Sequence, residues 1–142
     1  MTWYAGKSGP FSLKMQTKNQ ALEKLKQSKF RASFHLDKKN RAIVREKGMD
    51  KIKEDAADII RKRLAPAFIP NDGKQTPYRA YPVFTAQHAC ACCCRGCLNK
   101  WYKVPMGTEL TEVQQAKIVN LLMAWIEDEM KEDEEYGSMG NR

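Results

Sequence analysis

The chain contains no run of about eighteen apolar residues, which leaves it without a membrane-spanning helix. Met1 to Pro10 has neither the basic start nor the apolar middle of a secretory signal. There is no GxxxxGK[ST] string, so a P-loop nucleotide fold is not indicated. Histidine is scarce, at 2 residues, and cysteine is absent outside a single eight-residue window. The second CxxC pair that would complete a four-cysteine zinc framework is therefore missing. An odd number of clustered cysteines in a chain without a signal fits a reducing, cytoplasmic setting. At 142 residues, with no internal repeat and no linker, the chain fits one domain with a modest core.

Positive charge is abundant but unevenly placed, for a net charge of +8. Residues 1 to 79 carry 19 Lys/Arg against 8 Asp/Glu, residues 80 to 126 carry 4 against 2, and residues 127 to 142 carry 2 against 7. A basic body with an acidic end points to a polyanionic partner, most often nucleic acid. A merely solvated surface is the plain alternative.

The periodicities describe a mostly α, small single-domain helical fold with one short extended segment and a central Cys-rich helix. Residues 1–14 read as a flexible arm, 15–126 as the globular domain and 127–142 as an acidic C-terminal tail. A helix is expected from about Thr17 to Gln27, with Ala21, Leu22 and Leu25 inward. Phe30, Ala32, Phe34 and Leu36 then alternate with Arg31, Ser33 and His35, which predicts a short strand or extended segment with the first set buried. Asp37 is a helix cap, Gly48 a stop, and a second helix follows from about Asp50 to Leu64. Pro66 ends it, and Pro70 to Pro77 form a loop. Thr111 and Gln114 have capping-box spacing for a last helix that buries Val113, Ile118, Val119, Leu122 and Ile126. The acids after Ile126 oppose the helix dipole and predict fraying there.

The five cysteines, Cys90, Cys92, Cys93, Cys94 and Cys97, admit three readings. On one continuous helix from Val83 to Tyr102, Cys90, Cys93, Cys94 and Cys97 share a stripe about 100° wide with Ala86, Val83 and Trp101, as core residues would. Cys92, His88, Arg95 and Asn99 then lie on the opposite, polar face. The metal reading starts from Cys94-x2-Cys97, half of a zinc knuckle, with His88, Cys90 and Cys93 as further ligands and a helix break at Gly96. The redox reading uses Cys94-Arg95-Gly96-Cys97, where a thiolate at a helix start beside a cation has a lowered pKa. Upstream, Asp72-Gly73-Lys74-Gln75-Thr76-Pro77 offers a cation, an amide and a hydroxyl suited to an anion, although a plain polar turn explains it as well.

Asp72-Gly73-Lys74-Gln75-Thr76-Pro77, Pro82-Val83-Phe84, Ala86-Gln87-His88 and Cys93-Cys94-Arg95-Gly96-Cys97 carry a resemblance. Over Lys29 to Trp125 the chain resembles an uncharacterised bacterial domain-of-unknown-function family with the strings RGHPVF and AQHATATCCRGC. It departs from them in having Ala80-Tyr81 in place of Gly-His, and Cys90 and Cys92 in place of two Thr. The resemblance implies a small bacterial or phage-borne domain, supplies no activity, and marks His88, Cys93, Cys94 and Cys97 as the shared thiol–imidazole set. These four are the candidate zinc ligands. Lys74, Gln75, Arg79 and Arg95 are the candidate polyanion contacts of a monomeric or homodimeric binding module. The competing class is a small enzyme pairing His88 with Cys94 or Cys97 as base and nucleophile.

Overall fold

The computed structural model describes residues 18–140, and the side chains of residues 19–132. The arm at residues 1–14 lies outside the described residues. Seven helices follow in order: α1 (Lys18–Lys26), α2 (Lys29–Ala32), α3 (Lys38–Lys47), α4 (Met49–Arg63), α5 (Pro82–Ala89), α6 (Arg95–Tyr102) and α7 (Glu112–Gly140). There is no strand among the described residues, so the chain is a small, mostly α domain.

Local chemistry sets most helix boundaries. Asp37 is extended, and its Oδ1 accepts the Asn40 amide at 2.8 Å, starting α3. Gly48 has a φ of +85°, a conformation that favours glycine, and there the chain turns from α3 into α4. In α4, Ile52, Ala56, Ile60 and Leu64 recur every fourth residue and are fully buried. They face α7, whose Ile118, Leu121, Leu122 and Ile126 are equally buried, and α4 against α7 is the most extensive helix pair. Thr111 and Gln114 form the expected capping box, with the Gln114 amide donating to Thr111 Oγ1 at 3.0 Å and the Thr111 amide to Gln114 Oε1 at 2.8 Å. Val113, in contrast, is exposed in the first turn.

The structure departs from the sequence reading in several places. The alternation at Phe30–Leu36 is not a strand: Ser28 caps α2 by accepting the Arg31 amide, and only residues 34–37 run without regular structure. The burial is inverted at its start, where Phe30 is 54 % exposed and Arg31 8 %, while Leu36 is buried and His35 exposed as expected.

The acidic segment from residue 127 starts as packed helix. Helix α7 continues through it, and Glu129 is buried, its Oε1 accepting the Leu36 amide and Arg41 Nη2, both at 2.9 Å. Arg41 also donates to the Glu129 carbonyl at 2.6 Å and His35 Nδ1 lies 2.9 Å from Oε2, so one glutamate anchors α7 to the entrance of α3.

Finally, the central Cys-rich helix is two helices. α5 stops at Ala89, Ala91 has a φ of +59°, and α6 begins only at Arg95, so Cys90 to Cys94 form the turn between them.

Candidate metal centre

The break between α5 and α6 survives in the core because its backbone groups find partners. Gln87 accepts the Cys92 amide at 2.8 Å through its carbonyl and donates from Nε2 to the Cys92 carbonyl at 3.0 Å. Tyr102, fully buried, donates its hydroxyl to the Cys90 carbonyl, and Thr76 Oγ1 donates to the Cys93 carbonyl at 2.8 Å. On the other side Asp72 caps α6, its carboxylate accepting the Arg95 amide at 2.8 Å and the Gly96 amide at 3.1 Å. Asp72 of the 72–77 loop therefore supplies an anion to a helix N-terminus.

This turn sorts the five cysteines into two groups. Cys90 and Cys92 are wholly buried, and burial pushes both thiols above their ordinary pKa, so they are neutral core residues. Cys92 is therefore not on a polar face. The uninterrupted helix that placed it there does not exist. Cys93, Cys94 and Cys97 instead converge, their Sγ atoms all lying within 4.8 Å of one another. The Cys94 sulfur caps α6 by accepting the Cys97 amide at 3.3 Å. Cys93 Sγ stands 3.6 Å from Cys97 Sγ, far beyond the about 2.05 Å of a disulfide. That spacing lies close to the about 3.8 Å edge of a tetrahedron built on zinc–sulfur bonds of about 2.3 Å.

A cation completes the cluster. Arg31 reaches across from α2, with Nη2 donating to Cys97 Sγ at 3.2 Å, and Nη1 donating to the His88 carbonyl at 2.7 Å and to Cys93 Sγ at 3.8 Å. Hydrogen bonds from Cys93 and Cys94, and the Arg31 guanidinium, hold the Cys97 thiol well below its ordinary pKa. The hydrogen bonds to Cys94 and Cys97 push Cys93 up, so Cys97 is the sulfur of the three that gives up its proton most readily.

His88 does not join the three sulfurs within that distance. Its Nε2 lies 2.9 Å from the Thr76 carbonyl, which can only accept, so that nitrogen carries the proton. The ring stacks on Tyr78, with centroids 4.2 Å apart, and on Phe34 at 5.5 Å. Burial lowers its pKa, leaving a neutral imidazole. Among the described residues no hydrogen bond joins His88 to a cysteine.

The candidate polyanion contacts divide in the same way. Lys74 and Arg79 are exposed on the loop before α5. Gln75 is buried, its amide bonded to the Gly73 nitrogen and the Asp72 carboxylate within its own turn. Arg95 is 3 % exposed and points inward, donating to the carbonyls of Pro66, Pro105 and Thr108 at 2.8–2.9 Å, and to those of Leu64 and Ala65 at 3.4 Å. It is a tie between the end of α4 and the loop before α7, not a surface contact. A second group, His35, Glu129 and Glu132, also brings ligand atoms within 4.8 Å, but Glu129 is already committed to Arg41 and the Leu36 amide.

Arg31 is the site residue that the sequence conceals. Its sulfur partners lie 62 and 66 residues away, and it occupies the side of the alternation expected to face solvent. No helix of the described residues is long and apolar enough to cross a membrane. No solved structure matches the chain. The model of the family described as Domain of unknown function (DUF4186) matches residues 19–127, from the first turn of α1 into α7 and across the whole sulfur site, so the chain belongs to that family.

Proposed function

We propose that this domain is a zinc-stabilised binding module for a polyanion, with nucleic acid as the partner. The observation that carries the metal half is the convergence of the Cys93, Cys94 and Cys97 sulfurs within 4.8 Å of one another, with the Cys93–Cys97 pair at a tetrahedral-edge spacing. Three thiolates on one divalent ion leave a net charge of −1, and Arg31 stands where that charge is compensated. The Cys97 amide directed at Cys94 Sγ stabilises anionic sulfur in the same way. Bound there, zinc supplies a cross-link between the 90–94 turn and α6. The three cysteines leave a fourth coordination position for water or an outside donor.

Elemental analysis of the purified protein tests this half directly: one zinc per chain is expected, with chelator lowering the melting temperature and Cys97→Ser reproducing the loss. Metal-free protein whose melting is indifferent to chelator overturns it.

The polyanion half is supported by the net charge of +8, with Lys74 and Arg79 exposed and α3 and α4 adding basic surface. Binding of this kind weakens steeply with salt. A gel shift with mixed DNA and RNA at low salt is the test, and the absence of any complex overturns it.

One observation favours a second reading, in which Cys97 is a nucleophile: its sulfur accepts a hydrogen bond from Arg31, which lowers the thiol pKa. That reading predicts one cysteine alkylated by iodoacetamide much faster than free cysteine near neutral pH, and uniformly slow alkylation refutes it. His88 is poorly placed as its base, because the imidazole is bonded to the Thr76 backbone.

A further inference from the structure

On the outer side of Arg31, away from the sulfurs, lies an open cleft of about 480 Å³ between α1, the start of α2 and the end of α6. Its walls include Lys24, Lys100 and Lys103, the rings of Phe30 and Trp101, and Arg31, with no acidic residue among them. This volume is in the range of sites that take small planar ligands, about 300–1,000 Å³. The three lysines are exposed, and Phe30 is 54 % exposed.

Arg31 braces both rings, its guanidinium carbon standing 5.0 Å from the Phe30 centroid and 5.9 Å from that of Trp101. Since its nitrogens already serve Cys93, Cys97 and the His88 carbonyl, it positions the rings and leaves phosphate contact to the lysines.

A backbone observation points the same way. Lys103 ends α6 with a φ of +60°, the left-handed conformation for which helix ends usually use glycine. A lysine tolerated there, with its side chain on the cleft wall, trades backbone ease for a cation at this place.

From these observations we infer that the Phe30–Trp101 cleft is a binding site for single-stranded nucleic acid, in which an unpaired base stacks on an aromatic ring and Lys24, Lys100 and Lys103 hold the flanking phosphates. The inference rests on the polyanion reading and deepens it by naming the face and the type of strand. An exposed ring, Phe30, beside a half-buried one, Trp101, and clustered cations suits bases that are not already stacked in a duplex. Duplex DNA offers the same phosphates with its base faces covered, so it engages the lysines alone.

The experiment compares wild type, Phe30→Ala and Lys103→Gly by fluorescence anisotropy on a labelled oligothymidylate and on a duplex of equal length, at several salt concentrations. Phe30→Ala should weaken single-strand binding roughly tenfold and leave duplex binding unchanged. Lys103→Gly should melt no lower than wild type, because glycine accepts the left-handed backbone without strain. It should nevertheless bind the single strand more weakly, with a log–log salt slope reduced by about 0.7. If wild type binds no nucleic acid at low salt, the polyanion reading fails and this site fails with it. If wild type binds and both variants bind equally well, the polyanion reading stands and the cleft assignment alone is overturned. Equal affinity for duplex and single strand, unaffected by Phe30→Ala, likewise overturns it.

Discussion

Replacing Arg95 by methionine distinguishes an interior tie from a surface contact. Met matches much of the length and apolar volume of the arginine stem but removes all its donors. Three strong bonds vanish, to Pro66 at 2.9 Å and to Pro105 and Thr108 at 2.8 Å, while the two at 3.4 Å contribute little. Ala65 keeps its other partner, the Leu110 amide at 2.9 Å. Hydrogen bonds to a charged group are each worth about 1.5–3 kcal/mol, but removing the guanidinium also removes the cost of burying it. Pro105 and Thr108 lie at the surface, so their carbonyls regain water. We therefore expect about 1 kcal/mol per strong bond, or about 3 kcal/mol in all. For a domain of this size that corresponds to a melting temperature lower by about 10 °C. Arg95→Lys should rescue little, because one ammonium cannot span carbonyls on two segments. Thermal unfolding followed by circular dichroism, with and without chelator, measures the shift. A variant that melts within about 2 °C of wild type while its nucleic-acid affinity falls would refute the reasoning and restore Arg95 as a surface contact.

The other predictions follow from the same burial and bonding. Cys92→Ser should cost about 1–3 kcal/mol in urea unfolding, because a hydroxyl replaces a fully buried thiol in an apolar cluster. A silent Cys92→Ser would place that side chain back on an outer face. Glu129→Ala should cost about 2–4 kcal/mol by leaving Arg41 Nη2 and the Leu36 amide without their acceptor, and ending the chain at Ile126, which also removes the Glu129 carbonyl bonded to Arg41, should cost at least as much. Equal stability of both forms to wild type would show that α7 does not need this anchor. Burial depresses the His88 pKa below its ordinary 6.5, so the unfolded chain takes up a proton first as the pH falls. Its contribution is complete above about pH 6.5 and declines below it, and His88→Gln should flatten that part of the stability profile.

Sequence periodicity captured those elements whose signals are local. The Asp37 cap, the Gly48 stop, the helix that follows it and the Thr111–Gln114 box each depend on residues within a turn or two. The cysteine stretch misled because its spacing also suits a continuous stripe, and what breaks the helix lies elsewhere in the chain: Thr76, Asp72 and Tyr102 supply the bonds that make a turn affordable there. Gly96, the expected break, instead sits in the first turn of α6, and the left-handed residue is Ala91. Arg31 and Arg95 were illegible for a related reason. A buried cation is set by distant partners, sulfurs in one case and carbonyls in the other, and neither leaves a local pattern. The acids after Ile126 look like a tail by composition, but Glu129 meets Arg41 some 88 positions away.

Arg31 and the thiolates also have a consequence for how related chains diverge. A guanidinium buried against sulfur is best compensated when the sulfur carries charge, and a buried cation that loses its anionic partner costs up to about 3–5 kcal/mol. Neither partner is then free to drift alone. A lineage that replaces Cys97 with an uncharged residue should be found to have traded Arg31 for a neutral one, and a lineage that keeps the cysteine should keep the arginine. In an alignment the two columns, 66 positions apart, should change together or not at all.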